Sequence, residues 1–351
     1  MEFGIQFFPT LGPDKKSAFD YFQECLDFTE LCDVLGYSHV RTVEHHCNPY
    51  GGYSPNPLLF LSAAAQRTRK LRLVTGAVLP VFSHPLKLAG EIGMLDGISG
   101  GRLEVGFARA FLPHEFRRFG ISLDESKARF AEGIEQVRLL LEQENVSSEG
   151  QFHSFEATTT LPRPTQRPRP PFWIAATNSP DSFANAGKMG HWLMTIPLVG
   201  GKMREWKAIY QDAWRAAGHN GNGKVMLAFH AFCWPDEREA KEYARRPVED
   251  YMKSLVDASS DWLGVSSKDY AGYSKIYETL RSVTFDSLLQ NGAIFVGTPR
   301  QIRDQIAAYR EATGGFDVAS LQLLFGDLPS DVASRSARLF AEEVIPSFAG
   351  H

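Results

Sequence analysis

The sequence is first informative for what it contains little of. It has only 4 cysteines in 351 residues, and they form neither a CxxC pair nor the spacing of a metal site. No apolar run approaches the ~20 residues that a membrane-spanning helix needs. The start, MEFGIQFFPT, lacks the basic segment of a signal peptide. We therefore expect a cytoplasmic protein with reduced thiols, no bound metal and no membrane partner.

An excess of basic residues is also absent. The chain has 37 Lys and Arg against 41 Asp and Glu, a formal net charge of −4. A surface that binds nucleic acid needs a basic excess to neutralise phosphates, so we expect no nucleic-acid partner. No GxGxxG motif follows a strand-like segment, which removes the usual mark of an open dinucleotide-binding sheet.

What the sequence does contain is a regular alternation of strand-like and helix-like segments. Near-continuous apolar strands separated by helices are typical of a parallel sheet covered on both faces, and eight repeats fit a closed barrel. We therefore predict a single (β/α)8 TIM barrel over residues 1–351. The expected strands are Glu2–Phe8, Ser38–Val43, Leu71–Pro80, Leu103–Phe107, the segment PFWIAAT, Trp192–Ile196, Val225–Phe232 and Leu321–Leu324.

Two insertions interrupt this alternation, one after strand 4 and one before strand 8. The first covers residues 147–171 and ends in the proline-rich stretch LPRPTQRPRPP. A domain boundary is one interpretation of it. An excursion that returns to the same barrel fits better, because the strand pattern resumes at once. The second insertion, residues 259–291, is rich in serine, glycine and scattered aromatic residues.

The segment TVEHHCNPYGG places Glu44, His45 and His46 at the end of the second predicted strand. TIM barrels carry their active sites at the carboxyl ends of the strands. We therefore interpret this cluster as catalytic. The alternative is that one histidine only caps the barrel by an internal hydrogen bond, an interpretation less suited to two adjacent histidines.

A second group of residues suggests an anion site at the same end of the barrel. Ser179 precedes Pro180 as a helix N-cap, and Ser182 lies in the first turn, where free N–H groups and the helix dipole favour a phosphate. Arg109 follows the fourth strand and Lys127 begins the next helix, within reach of the same anion. The alternative is a helix start that caps only itself.

Gly76 lies inside the third predicted strand, in VTGAVLPV. Glycine in a strand marks either a bulge or the close approach of a ligand. A flat ring pressed against this backbone is the functional interpretation, and a simple bulge is the alternative.

These segments together match one family. The sequence resembles the bacterial luciferase-like flavin-dependent monooxygenases, in particular the luciferase alpha subunit. The resemblance spans nearly the whole chain and is most specific from Thr75 to Phe119. The matching stretches are FGIQFF, EHHCNPYG, TGAVLPVFSHPLKLAGEIGMLDGISGGRLEVGFARAF, FRRFG, LPRPTQRPRPPFWIAATNSP, VGTPRQI and EEVIPSF.

The resemblance implies a barrel that binds FMN as FMNH2, supplied by a separate flavin reductase. Molecular oxygen would add to the flavin as a C4a-peroxide, which oxygenates a small organic substrate. His45 matches the family's catalytic base or proton shuttle, with Glu44 and His46 beside it. Gly76 and Ala77 match a pair joined by a cis peptide under the flavin ring. The family's phosphate ligands match Arg109, Lys127, Ser179 and Ser182.

The resemblance also leaves points open. A reactive cysteine of the luciferase alpha subunit is replaced here by Ala108, and residues 259–291 correspond to a mobile lid, although a plain loop has the same composition. Glu115 matches a residue near the flavin. The expected pocket residues are Phe8, Phe111, Glu115 and Trp192, of which the aromatic three fit the core equally well.

The expected substrate is an aromatic or polyketide-type metabolite rather than a long-chain aldehyde. A homodimer is expected through the helices around residues 57–65 and 85–98. Two alternatives stay open: a hydride-transferring oxidoreductase that uses a deazaflavin or FMN, and a non-catalytic flavin-binding protein.

Overall fold

Strands and helices alternate along the chain in the computed structural model, which describes residues 1–177, 179–198 and 200–349. The strands are β1 Glu2–Phe7, β2 His39–Thr42, β3 Arg72–Thr75, β4 Leu103–Phe107, β5 Val146–Glu149, β6 Ser154–Thr158, β7 Phe172–Ala175, β8 Trp192–Thr195, β9 Val225–Cys233, β10 Ile294–Gly297 and β11 Val318–Gln322. The α-helices are α1 Ala18–Leu35, α2 Pro57–Arg67, α3 Pro85–Ser99, α4 Pro113–Phe119, α5 Ser126–Glu142, α6 Pro180–Lys188, α7 Gly200–Ala216, α8 Glu237–Ser259, α9 Ile276–Arg281, α10 Phe285–Gln290, α11 Pro299–Thr313 and α12 Ser330–Glu343.

Eight of these strands form a closed parallel barrel. Their order around the barrel is β1, β2, β3, β4, β7, β8, β9 and β11, and β11 pairs back onto β1. These are the eight strands expected from the sequence, so the predicted (β/α)8 fold is confirmed. The helices begin and end where their sequences allow: Asn56 accepts hydrogen bonds at the start of α2, and Gly36 ends α1 in the left-handed region.

Strand β10 was not expected. It pairs with the carboxyl half of β9, from Ile294 opposite His230 to Gly297 opposite Cys233. The first residues of β9, Val225 to Leu227, pair with β8 on the same edge. Strand β9 is long enough, at nine residues, to pair with β8 and then with β10 on one edge, while β11 pairs along the other edge.

The first insertion begins with the antiparallel hairpin β5–β6. Its proline-rich part then crosses the outside of the barrel, where Arg163 donates hydrogen bonds to carbonyl oxygens at the end of α5 and Gln166 donates to Asp96. The chain re-enters the barrel as β7, which pairs with β4.

The barrel interior is solid at mid-height and open at the carboxyl ends of the strands. Alternate residues of each strand face the axis. The middle is closed by almost fully buried side chains: Val74, Trp173, Met194, Met226 and Val318. Nearer the carboxyl ends the axis-facing residues keep partial exposure: Arg41, Ala108, Ala175, Ala228 and His230. We call the open space that these five residues line the mouth.

Charged residues close the opposite, amino-terminal end of the barrel. Arg72 forms an ion pair with Glu2, and its Nε lies 2.9 Å from Oε1 of Glu104. Lys224 Nζ lies 3.5 Å from Oε1 of Glu2 and 4.7 Å above the ring of Trp192. Across the ranges described, none of the helices has the length and apolar character needed to cross a bilayer.

Candidate active site

Glu44, His45 and His46 follow directly after β2, which ends at Thr42, so they lie at the rim of the mouth. Glu44 and His45 are buried and His46 is partly exposed. The chain is held here by a backbone hydrogen bond from His45 N–H to Ser54 O, 3.1 Å long. The cluster predicted from the sequence is therefore at the carboxyl end of the barrel, where catalysis is expected.

Glu115, from the first turn of α4, is the hydrogen-bonding partner of the two histidines. Its Oε1 lies 3.1 Å from His45 Nδ1 and accepts the His46 backbone N–H at 2.8 Å. Burial opposes ionisation of this carboxyl, but the hydrogen bonds from His45 and His46 outweigh it and lower its pKa below the ordinary value. An ionised carboxylate only accepts hydrogen bonds, so Nδ1 of His45 carries the hydrogen and Nε2 is the basic nitrogen.

Glu44 links this rim to the loop after β3. Its Oε2 accepts the backbone N–H of Leu79 at 2.9 Å, and its Oε1 lies 3.0 Å from Nε2 of His46. Burial raises the pKa of the Glu44 carboxyl, and the two hydrogen bonds offset only part of that effect. The two glutamates thus have pKa values displaced in opposite directions on either side of His45 and His46.

Aromatic side chains surround the imidazole of His45. Ring centroids of Tyr50, Phe8 and Phe111 lie 5.3, 5.5 and 6.1 Å from it. Tyr251, from α8, packs against Phe8 with centroids 5.4 Å apart. These contacts place Phe8 and Phe111 beside the candidate base, as a substrate pocket requires.

Trp192 lies elsewhere. It is the first residue of β8 and packs on Trp173 with centroids 5.0 Å apart, beneath Lys224 at the amino-terminal end. The first residue of a parallel barrel strand lies at the end opposite the mouth. Trp192 therefore belongs to the closed amino-terminal end of the barrel and is not part of the pocket.

Gly76 is explained by a neighbour that the sequence did not reveal. The Gly76–Ala77 peptide is cis, as the resemblance implied. Arg41 donates from one terminal nitrogen to the Gly76 carbonyl oxygen at 2.7 Å. A Cβ at position 76 would lie 1.8 Å from Arg41 Nε, so any larger residue would displace the guanidinium. The glycine therefore permits the close approach of a side chain from β2.

The proposed phosphate ligands lie at the ends of two neighbouring strands. Arg109 follows β4 and stacks on the ring of Tyr270 at 4.2 Å. Ser179 is the N-cap of α6 after β7, and its Oγ lies 2.8 Å from Oγ of Ser182. Lys127 is exposed in the first turn of α5. The cation after β4 and the helix start after β7 are thus adjacent, because β4 and β7 pair directly.

A family model described as luciferase-like monooxygenase matches residues 1–315. The chain belongs to the luciferase-like monooxygenase family. The resemblance seen in the sequence is therefore confirmed, and with it the expected enzyme class.

Three relatives of this luciferase-like monooxygenase illustrate the match. The crystal structure of monooxygenase RslO1 from Streptomyces bottropensis has a TM-score of 0.88 at 43% identity, over 99% of this chain and 100% of that one. The oxygenase component of the flavin-dependent trigonelline monooxygenase of Acinetobacter baylyi is 27% identical, over 95% of this chain and 92% of its own. The oxygenating constituent of 3,6-diketocamphane monooxygenase of Pseudomonas putida, in complex with FMN, has a TM-score of 0.83 at 21% identity, over 99% of this chain and 98% of that one, a likeness of fold alone.

Sequence reasoning missed three axis-facing polar residues of this monooxygenase: Arg41, His230 and Gln322. Each lies on a barrel strand at the mouth. A signal for them does exist, because each is a polar residue at an axis-facing position of its strand, in HVRT, VMLAFHAFC and VASLQ. Strand alternation identifies their side of the sheet, but only the assembled barrel brings them together.

Proposed function

We propose that the protein is an FMN-dependent monooxygenase that uses reduced FMN and molecular oxygen to oxygenate a small organic substrate. The observation that carries this proposal is the His45–Glu115 pair. It places a buried, oriented imidazole with Nε2 as its basic nitrogen among aromatic rings at the rim of the barrel mouth.

Small side chains line one side of the mouth. Ala108 directly follows β4, Ala175 ends β7, and the loop after β3 contributes Gly76 and Ala77, so these residues form a wall without bulky groups. Such a wall suits a planar ring. When bound there, reduced FMN would supply the electrons that activate molecular oxygen.

The phosphate of FMN would be held next to this wall. Ser179 and Ser182 provide hydroxyl groups at the start of α6, whose first N–H groups favour an anion. Arg109 provides a cation after the neighbouring strand, and Lys127 a second from α5. These residues fit a phosphate monoester, although each also has a structural partner.

The residues of the rim have separate roles in proton transfer and in positioning. His45 accepts or returns a proton at Nε2, Glu115 keeps its Nδ1 hydrogen and ring orientation fixed, and Glu44 with His46 anchors the rim to the loop after β3. The rings of Phe8 and Phe111 limit access of water to this nitrogen.

The surroundings support further parts of the proposal. The aromatic pocket favours an aromatic or polyketide-type substrate. The electrons would come from a separate flavin reductase, as the designation "oxygenase component" of the trigonelline relative suggests. We propose a cytoplasmic homodimer through α2 and α3, whose outer faces expose Leu59 and Met94 to 71% and 58%. We also propose that residues 259–291 form a mobile lid.

The test is single-turnover oxygenation with isotopically labelled O2. Protein, chemically reduced FMN and a panel of phenolic and polyketide aromatics are mixed, and products are analysed by mass spectrometry. We expect one labelled oxygen atom in the product and the second in water. Labelled oxygen in no product, together with tighter binding of a deazaflavin than of FMN, would support hydride transfer instead.

Removing the proposed phosphate cation should weaken cofactor binding. We expect Arg109→Ala to reduce the binding free energy of FMN by about 1.5–3 kcal/mol, the usual contribution of a charge-assisted hydrogen bond. Fluorescence titration measures it. Arg117→Ala is the matched control, because Arg117 is 64% exposed on α4 and pairs with Asp261. Equal affinities for the two variants would remove Arg109 from the phosphate site.

A further inference from the structure

Four polar side chains form a continuous row inside the mouth. Gln6 on β1 is the register partner of Arg41 on β2, and Gln322 on β11 is the partner of His230 on β9. Because Ile5 pairs with Leu321, the next residues along these strands, Gln6 and Gln322, are neighbours. We call these four residues, Arg41, Gln6, Gln322 and His230, the polar arc.

The polar arc lies above the apolar floor of the mouth. On β9 the floor residue Met226 precedes His230 by four positions, and on β11 Val318 precedes Gln322 by four. His230 and Gln322 therefore lie about 13 Å farther along their strands than these floor residues, at roughly 3.3 Å per residue. Arg41 is the register partner of the floor residue Val74. It spans β2, β1, β11 and β9, the side of the mouth not formed by the small residues of β4 and β7.

Three atoms of the polar arc are buried without a hydrogen-bonding partner among the described residues: Arg41 Nε, His230 Nε2 and Gln322 Oε1. Other atoms of the same side chains are satisfied, since Arg41 donates to Gln6 and to Gly76 O, and Gln322 Nε2 donates to Phe8 O at 3.1 Å. Buried polar atoms are normally paired, and leaving one unpaired costs free energy. Three such atoms on one side of the mouth point to a ligand.

The charges within the arc favour an anionic oxygen. In the part of the chain that the structure describes, the ion pairs include none to Arg41. Burial lowers the pKa of Arg41 to about 10, so the guanidinium stays charged at neutral pH. Burial also lowers the pKa of His230 to about 4, so its imidazole is neutral there. The arc thus offers one positive charge with neutral groups beside it.

The walls next to the arc favour an aromatic ring. The His230 ring packs between Tyr251 and Phe325, with centroids 4.5 and 5.1 Å away. Tyr251 also contacts Phe8, which borders His45. A planar molecule between these rings and a flavin on the small-residue wall would have one edge on the polar arc and lie close to His45.

We propose that the polar arc binds the ionised hydroxyl oxygen of a phenolic or enolic aromatic substrate. Arg41 holds the anionic oxygen, and Gln322 Oε1 accepts a hydrogen bond from a neighbouring hydroxyl on the same edge of the substrate. The negative charge delocalises into the ring and makes its carbon atoms better nucleophiles toward an electrophilic oxygen. This assignment rests on the proposed function, because it specifies the substrate class of that same pocket.

The test uses 4-nitrophenol, whose ionised form is yellow, and nitrobenzene, which lacks the hydroxyl. Calorimetric titration measures the affinity of both for the wild-type protein and for Arg41→Met. We expect 4-nitrophenol to bind the variant roughly tenfold or more weakly, as for a lost charge-assisted hydrogen bond, and nitrobenzene to bind both proteins equally. Absorption should show that the wild-type protein raises the ionised fraction of the bound phenol and that Arg41→Met does not.

Further variants separate recognition from folding and from cofactor binding. His230→Phe keeps the ring packing and should weaken 4-nitrophenol less than Arg41→Met, whereas Arg246→Met, at a side chain 77% exposed on α8, should change nothing. FMN affinity should fall much less than 4-nitrophenol affinity in Arg41→Met, although Arg41 also holds the Gly76 carbonyl oxygen of the proposed flavin wall. An equal loss of nitrobenzene and 4-nitrophenol binding, a loss of FMN binding in proportion, or no binding of 4-nitrophenol to the wild-type protein would overturn the assignment. None of these outcomes depends on oxygen transfer, so they are distinct from failure of the proposed function.

Discussion

At the scale of single residues, the sequence revealed which residues follow a strand better than which side chains contact each other. His45 was predictable because a strand stops just before it, and the structure places it at the mouth. Its partner Glu115 lies 70 positions away, and the sequence offered no reason to join Nδ1 to that carboxylate. Gly76 was ambiguous for the same reason, since its explanation is the side chain of Arg41.

The His45–Glu115 pair gives a kinetic prediction. We expect His45→Ala to slow oxygenation by roughly 10²–10⁴-fold, the range for loss of a general acid–base, with FMN affinity nearly unchanged. Glu115→Gln should slow it less, because the amide oxygen still accepts a hydrogen bond from Nδ1–H but carries no negative charge to stabilise the protonated ring. Rapid-mixing kinetics with reduced FMN measures both. Parallel loss of FMN binding in His45→Ala would make the histidine a binding residue.

The pKa of Glu115 also predicts a pH dependence of stability. Its folded pKa lies below the ordinary 4.5, so its ionised form stabilises the fold above that pH. The contribution disappears as the pH falls from 4.5 through the lower folded value. We expect urea unfolding of the wild-type protein to lose stability across this acid window, and Glu115→Gln to lose less. Identical slopes in both proteins would contradict the coupling.

At the scale of elements, the helices and barrel strands were predictable from periodicity and caps, whereas β10 and the contacts of the second insertion were not. A four-residue strand such as IFVG carries no period that separates it from a buried turn. The second insertion contains α9 and α10. It is attached to α5 through Asp269, whose Oδ2 accepts the Lys127 N–H at 2.9 Å. Such contacts follow from tertiary position, which composition alone does not report.

The attachment through Asp269 is testable as a property of the lid segment. Asp269→Ala removes the acceptor of Lys127 N–H and of Ser126 Oγ, which is 3.3 Å away. We expect faster amide hydrogen exchange across residues 260–275 and faster FMN dissociation, because a loosened lid opens more often. Asp286→Ala is the control, since it breaks only an exposed ion pair with Arg245. Unchanged exchange in Asp269→Ala would show that other contacts hold the segment closed.

At the scale of the whole molecule, the closed barrel was predictable because each strand–helix unit repeats the same pattern and no open-sheet motif competes. The placement of the aromatic residues was less predictable. Phe8 follows β1 and lines the mouth. Trp192 begins β8 and therefore lies at the closed amino-terminal end. Direction along the strand, which the sequence does encode, decides the difference.

Association of two copies is the prediction that belongs to this scale. Leu59 on α2 and Met94 on α3 are 71% and 58% exposed on neighbouring helices. We expect Leu59→Glu and Met94→Glu each to shift a dimer to monomer in light scattering, because a charge in an apolar interface is costly to desolvate. Val34→Glu, at a side chain 78% exposed on α1, should leave the dimer intact. A wild-type monomer at all concentrations would refute the interface.

The charged residues that close the amino-terminal end of the barrel bear on the order in which ligands bind. That end is closed by Arg72, Glu104 and Lys224, and the middle is filled by Val74 and Met226. Any ligand must therefore enter the barrel through the mouth. The proposed phosphate site near Ser179 lies to one side of that opening, and the polar arc lies on the other. We therefore expect ordered binding, in which flavin enters first, the aromatic compound follows, and the oxygenated product leaves before the flavin is exchanged.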